Sequence, residues 1–146
     1  MVRVAKAVMV AEGCDPETEV TIVIGADTWI RRLNREYKGK DNPTDVLAFP
    51  LTRRVAPRTG VRAPKGAREG TREGKRLLLG DVAISAETAQ RQARALGHSL
   101  ADELVVLVAH GMLHLTGWKD QTPRQRRRMM KRGEEVLRLA GARPRR

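Results

Sequence analysis

Residues 99–117 read SLADELVVLVAHGMLHLTG, and the rest of the chain is best read outward from them. Ser99 with Asp102 three residues later is the pattern that opens a helix, because a side-chain oxygen there satisfies a backbone N–H that has no partner in the first turn. Leu104, Leu107 and Val108 carry the helical spacing forward to about Leu115, and Gly117 stops it. His110 and His114 are four residues apart. Their side chains therefore lie one turn apart on one face, a spacing that lets two imidazoles hold one metal ion. A turn at Gly117 can swing the chain back, and Asp120 then arrives ten residues after His110. Two His and one carboxylate leave a coordination position open.

The residue after His110 is Gly111, where a zinc peptidase helix carries a glutamate that acts as base. Glycine takes no proton, so the acceptor is either water at the metal or a carboxylate from elsewhere. Asp45, Asp81 and Glu103 are the candidates, each of which also has an ordinary structural reading. Glu103 stands seven residues before His110 on the same helical face, where it can instead steady a His ligand. The third histidine, His98, follows Gly97 and is expected to be a solvated turn residue.

Upstream, residues 2–12 suggest a short Val-rich helix ended by Gly13 and Pro16. Glu19 to Gly25 is β-branched and reads as a strand. Asp27 is placed to cap a helix carrying Ile30, Leu33 and Tyr37, with Trp29 and Tyr37 as packing residues. Asp41, Asn42 and Pro43 form a turn, and Thr44 to Phe49 is a buried strand. Leu77 to Ser85 is another strand, interrupted at Gly80 and Asp81. Ser85 caps a helix with Ala89, Ala93 and Leu96 on one face, closed by Gly97. Thr122, Pro123 and Gln125 open a last helix, with an apolar face of Met129, Met130, Val136, Leu137 and Ala140. The pattern predicts one domain over 1–146: a small mixed sheet of three to four strands with about five helices, an α+β class.

The charge is unevenly placed. The chain carries a net charge of +12, but residues 1–51 are net −1 and 77–117 net −2. The excess sits at 52–76, net +7, and at 118–146, net +8. The first of these segments holds Val55 and Val61 as its only large apolar residues, and is expected to be a flexible basic loop. The second ends in a basic tail. Two basic flanks around a near-neutral body suit a polyanion, nucleic acid above all. No apolar run approaches the length of a membrane span, no secretory leader is visible, and Cys14 has no partner for a disulfide. The expected location is the cytoplasm, with Cys14 an inert small hydrophobe.

Three blocks, in order, resemble the YbeY family of bacterial rRNA maturation factors, described as metal-dependent, single-strand-specific endoribonucleases. HGMLHLTGWKD at 110–120 resembles the family's HGxLHLxGYDH. LNREYKGKDNPTDVLAFP at 33–50 resembles LNxxYRxKDxPTDVLSFP, and LGDVAISAETAQRQA at 79–93 resembles LGDIxIS with its Ala- and Gln-rich helix. The resemblance covers about residues 19–140. It departs in having Asp120 for the family's third His, Lys119 for the preceding Asp and Lys38 for the Arg after the Tyr. A leading strand usual in the family has no counterpart before residue 2, and the 52–76 loop is longer and more basic than usual.

The resemblance implies a zincin-like metal-binding helix, one Zn2+ held by His110, His114 and Asp120, and cleavage of rRNA late in 16S 3′-end maturation. It implies catalytic roles for Lys38, His110 and His114. Lys38 keeps the charge of the family Arg but loses its two-pronged grip on phosphate. Lys38, Lys40, Arg53, Arg54, Arg126 and Arg127 are the expected RNA contacts. The implied partners are rRNA and the small ribosomal subunit, with a ribosomal protein or an assembly GTPase as a further one. The alternative is a non-catalytic ribosome-assembly factor with a structural zinc site. A hydrolase of small molecules fits the charge poorly.

Overall fold

The computed structural model of the chain describes residues 1–51, 72–73 and 76–142. Most of the expected 52–76 loop, Arg53 and Arg54 included, and the last four residues of the tail lie outside the described residues. The elements run α1 (Val2–Ala11), β1 (Thr18–Gly25), α2 (Asp27–Lys38), β2 (Val46–Pro50), β3 (Arg72–Glu73), β4 (Arg76–Ser85), α3 (Ala86–Leu96), α4 (Leu100–Leu115) and α5 (Pro123–Leu139). The α+β class with five helices and a small mixed sheet is as the sequence suggests. Among the described residues no single helix is long and apolar enough to cross a membrane.

β4 is the central strand. β1 pairs with it in parallel and β2 antiparallel, giving the order β1-β4-β2. The short β3 pairs with the start of β4, Arg72 against Leu77. It corrects the expectation of loop up to residue 76: Arg72–Glu73 and Arg76 already belong to strands. Gly80 does not break β4. Its φ is +148°, and an added Cβ would lie 2.3 Å from the Phe49 carbonyl oxygen, so glycine lets β2 and β4 approach at that point.

Alternation along β4, shifted once by a bulge at Leu79 where the pairing with β1 changes register, separates two cores. Leu79, Val82 and Ile84 join Val108, Met112 and Leu115 of α4 in the larger one, with Val4 and Val8 of α1 and Met129 and Val136 of α5. Ala83 joins Ile30 of α2 and Leu47 of β2 in the smaller one, on the opposite sheet face, with Trp29, Leu33 and Phe49 packed around it. α4 thus lies against one face of the sheet, surrounded by α1, α3 and α5, and α2 covers the other. Tyr37 is a packing residue only at one edge: it meets Phe49 with ring centroids 5.2 Å apart but is otherwise exposed. Met130, expected on the apolar face of α5, is also largely exposed.

The helix starts follow the sequence in three of four cases. Ser85, Ser99 and Thr122 each accept a bond from a first-turn backbone N–H, and Thr122 with Gln125 closes a reciprocal capping box. Asp27 does not cap its own helix. The N-cap is Ala26, and the Asp27 carboxylate instead accepts from the Ser85 and Thr88 hydroxyls. Arg91 adds an ion pair at 2.8 Å. Asp27 therefore clips the starts of α2 and α3 together. These bonds, the Ser85 one foremost and then the Thr88 one, hold its carboxyl down to about 2.

His98 is also not as expected. Its side chain is 1% exposed, with Nε2 2.9 Å from a Glu103 carboxylate oxygen. Position alone suggested a solvated turn, but the first turn of α4 folds Glu103 back over it. Cys14 is half-buried against the main core, and burial, with the Glu12 charge second, pushes its thiol up to about 11.

Candidate metal centre

The close approach of α4 to the sheet sets the position of the two histidines. A Cβ added at Gly111 would lie 2.6 Å from Val82 Cγ1 and 3.1 Å from Val46 Cγ2. Position 111 therefore faces the sheet at a distance no side chain allows. This explains why no glutamate follows His110: a carboxylate there would be driven into the main core. The neighbouring face of the helix carries His110 and His114 outward, each only partly covered.

At the end of α4 the chain reverses. Thr116, buried, donates its hydroxyl to the Leu113 carbonyl, Gly117 takes φ +101°, and the Trp118 N–H bonds back to Leu113 at 3.0 Å. This turn brings Asp120 over the histidines. His110 Nε2 and His114 Nε2 are 3.1 Å apart, and an Asp120 carboxylate oxygen stands 3.4 Å from His114 Nε2 and 3.7 Å from His110 Nε2. Ligands on a tetrahedral metal with bonds of about 2.0–2.2 Å sit about 3.3–3.6 Å from one another. The three atoms form a triangle of that size, so the residues fit a single ion without rearrangement of the fold. Two imidazole nitrogens and one carboxylate are donors suited to zinc and to other first-row divalent metals.

The surrounding contacts orient the triangle. His114 Nδ1 lies 3.0 Å from the Trp118 carbonyl oxygen. A carbonyl only accepts, so Nδ1 carries the proton and Nε2 presents its lone pair to the centre. The Trp118 indole in turn donates to Glu12 at 3.0 Å, and Glu12 accepts from Arg132 Nε at 2.7 Å. Arg132 also donates to the Ala11 carbonyl and to Glu135. Glu12, 2% exposed, thus ties the end of α1 to α5 and to the turn that aims His114. Arg126 Nη1 donates to the Asp120 backbone carbonyl at 3.2 Å, which holds Asp120 from the start of α5.

His110, His114 and Asp120 are brought together as the sequence spacing suggests. The acids considered as bases are not brought in. Asp45 accepts from the Val46 N–H and from Gln92, fixing the start of β2. Asp81 stands between Gly80 and Val82, which face α4, and so belongs to the opposite face of the sheet. Glu103 is engaged with His98, and seven residues of helix put it about 10 Å along the axis from His110. Lys38 and Lys40 are exposed at the end of α2 and just beyond it. The Arg31–Asp41 ion pair and the Asn34 bond to the Asn42 carbonyl hold that corner in place. Arg126 and Arg127 are exposed near the site on α5.

Sequence reasoning missed Glu12, Arg132 and the role of Trp118. Their contacts span 106 and 120 residues of chain, and no local pattern marks them. An acidic residue closing a Val-rich helix was the one available sign.

The family model for endoribonuclease YbeY matches residues 1–141. The chain belongs to the YbeY family. It is 42% identical over 137 residues to the endoribonuclease YbeY of Pelotomaculum thermopropionicum, covering 94% of this chain and 82% of that protein. To the YbeY of Moorella thermoacetica it is 41% identical over 141 residues, covering 97% of this chain and 85% of the relative. The solution structure of a Thermotoga maritima protein superposes with a TM-score of 0.54, covering 94% of this chain and 79% of that one at 24% identity. At that identity it speaks for the fold alone. In this YbeY-family chain the Asp120 carboxylate reaches the two imidazoles of His110 and His114.

Proposed function

We propose that this YbeY-family chain is a zinc-dependent endoribonuclease that cleaves single-stranded rRNA, acting in the cytoplasm on the 3′ end of 16S rRNA late in small-subunit assembly. The observation that carries the reading is the His110–His114–Asp120 triangle, with all three ligand atoms within 4.8 Å of one another. The family membership and the two basic flanks support the choice of RNA as substrate.

A divalent ion held by these residues supplies Lewis-acid polarisation of a phosphoryl oxygen or of water. The chain's own residues do the rest. Trp118 fixes the His114 ring and its tautomer. Arg126 holds Asp120 from behind. Arg126, Arg127, Lys40 and, outside the described residues, Arg53 and Arg54 attract the phosphate backbone without reading sequence. Lys38 is assigned to offset charge on the phosphate at the scissile position. The small ribosomal subunit supplies the substrate, with a ribosomal protein or assembly GTPase as the accompanying partner.

One observation favours a second reading, a non-catalytic assembly factor with a structural metal. Gly111 is sealed against the sheet, and Asp45, Asp81 and Glu103 are each placed away from the triad, so none of these carboxylates is at hand as a base. Cleavage of single-stranded RNA by highly purified protein, with His114→Ala as control for trace contaminants, separates the two. Cleavage lost in His114→Ala supports the enzyme; no cleavage by metal-loaded wild type supports the assembly factor.

A further inference from the structure

A groove of about 270 Å³ runs between α4 and α5. Its walls are apolar: Ala109 and Leu113 from α4, and Met129, Met130 and Leu137 from α5. His110 forms part of the same wall, so the groove opens directly beside the triad. The volume is below the roughly 300–1,000 Å³ of sites that take drug-sized ligands, which leaves room for one small flat group.

The glycine at position 133 is the informative residue. It lies inside a 17-residue helix, where glycine costs about 1 kcal/mol relative to alanine. No steric reason demands it. An added Cβ would meet nothing closer than Leu113 Cδ1 at 3.9 Å, an ordinary contact. Gly133 lines the groove, and what its missing side chain provides is open space there.

The ends of the groove carry charge. Arg126 and Arg127 stand three to four residues before Met129 and Met130, one turn earlier on the same side of α5. Arg126 also reaches the Asp120 carbonyl, so this end adjoins the triad. At the far end are Arg138 and Glu134. An apolar slot with Arg126 and Arg127 before one end and Arg138 beside Glu134 at the other, opening next to the candidate metal triad, matches a nucleotide chain that lays one base in the slot and turns its phosphates toward the arginines.

Resting on the ribonuclease reading above, we propose that the groove between α4 and α5 seats one unstacked nucleobase of the RNA next to the scissile phosphate. The base is held by apolar and thioether contact. Methionine adapts to differently shaped rings, so the slot grips single strands with little preference among bases, and a paired base cannot enter it.

The test is a cycle of two proteins and two ligands, with the full chain kept in chelator so that nothing is cleaved. Affinity is measured by fluorescence anisotropy for a short labelled oligouridylate and for an abasic ribose-phosphate chain of the same length and charge. Gly133→Leu fills the slot, and Met130→Ser strips one wall at an exposed position that the fold does not need. Circular dichroism confirms that both variants fold. Thioether contact with an aromatic ring is worth up to about tenfold in affinity. Both variants are therefore expected to bind oligouridylate more weakly, by up to about tenfold, and the abasic chain as well as wild type does. Equal losses on both chains, or no loss on either, would overturn the groove assignment. Wild type that holds neither chain contradicts the RNA reading itself, whereas wild type that holds both chains alike overturns the groove assignment alone.

Discussion

His114 Nδ1 and the carbonyl oxygen of Trp118 lie 3.0 Å apart, and this contact decides which nitrogen of His114 faces the centre of the triad. The carbonyl is held where it is because the indole of the same residue is anchored on buried Glu12. Trp118→Phe keeps the ring but removes the N–H, and leaves Glu12 with Arg132 alone. Outer contacts of this kind are worth about tenfold to a hundredfold in metal affinity. The expected outcome is a metal dissociation constant raised by about tenfold in competition with a chromophoric chelator. A lower melting temperature with unchanged metal affinity would make the Glu12–Trp118 contact purely structural.

Two glycines inside helices, Gly111 and Gly133, are expected to respond in opposite directions. Gly111→Ala forces a methyl group within 2.6 Å of Val82 in the main core. Overpacking of this kind costs about 1–3 kcal/mol. Gly133→Ala meets open space, and should stabilise α5 by about 0.5–1 kcal/mol. Urea denaturation of the two variants beside wild type measures both signs. A stabilised Gly111→Ala would mean that α4 sits farther from the sheet than described.

Acid stability depends on Asp27. Its folded pKa, about 2, lies below the ordinary carboxyl value of 3.8. The carboxylate therefore contributes stability that is fully present above about pH 4 and is lost as the pH falls towards 2. Asp27→Asn should lower the urea midpoint at neutral pH and reduce the difference between midpoints at about pH 5 and pH 2. An unchanged pH dependence in the variant would remove Asp27 from the acid transition.

Lys38 separates attraction from chemistry. If it offsets charge on the reacting phosphate, Lys38→Ala lowers kcat more than it weakens RNA binding, and Lys38→Arg keeps or raises the rate through its paired donors. Equal losses in binding and cleavage, with no gain for arginine, would assign it to the basic surface around α2. A shallower salt dependence of binding in Lys38→Ala is expected on either account, because one fewer counterion is released.

The helix carrying His110 and His114 was legible because its information is local. Ser99, the His110–His114 spacing and Gly117 all act within one or two turns, and together they define a helix, a face and a stop. Three helix caps were legible for the same reason. What was not legible depends on distant partners. Asp27 looks like a cap in sequence, but Ser85 and Thr88 arrive from 58 and 61 residues away and take its carboxylate. His98 looks like a turn residue until Glu103 folds over it. Gly111 reads as a missing base, and only the sheet shows that it is a contact. The candidate site divides likewise: the three ligands lie within eleven residues, while the Glu12 network that steadies them crosses the whole chain.

The central claim, that Asp120 completes the ion site with His110 and His114, is tested most directly by metal content per folded chain. Wild type and Asp120→Ala are purified in parallel, loaded with zinc, freed of excess and measured by plasma mass spectrometry, with circular dichroism to confirm folding. Wild type is expected to hold about one ion per chain, and Asp120→Ala to lose most of it while remaining folded, because two ligands rarely hold zinc tightly. Full occupancy in folded Asp120→Ala would contradict the triad.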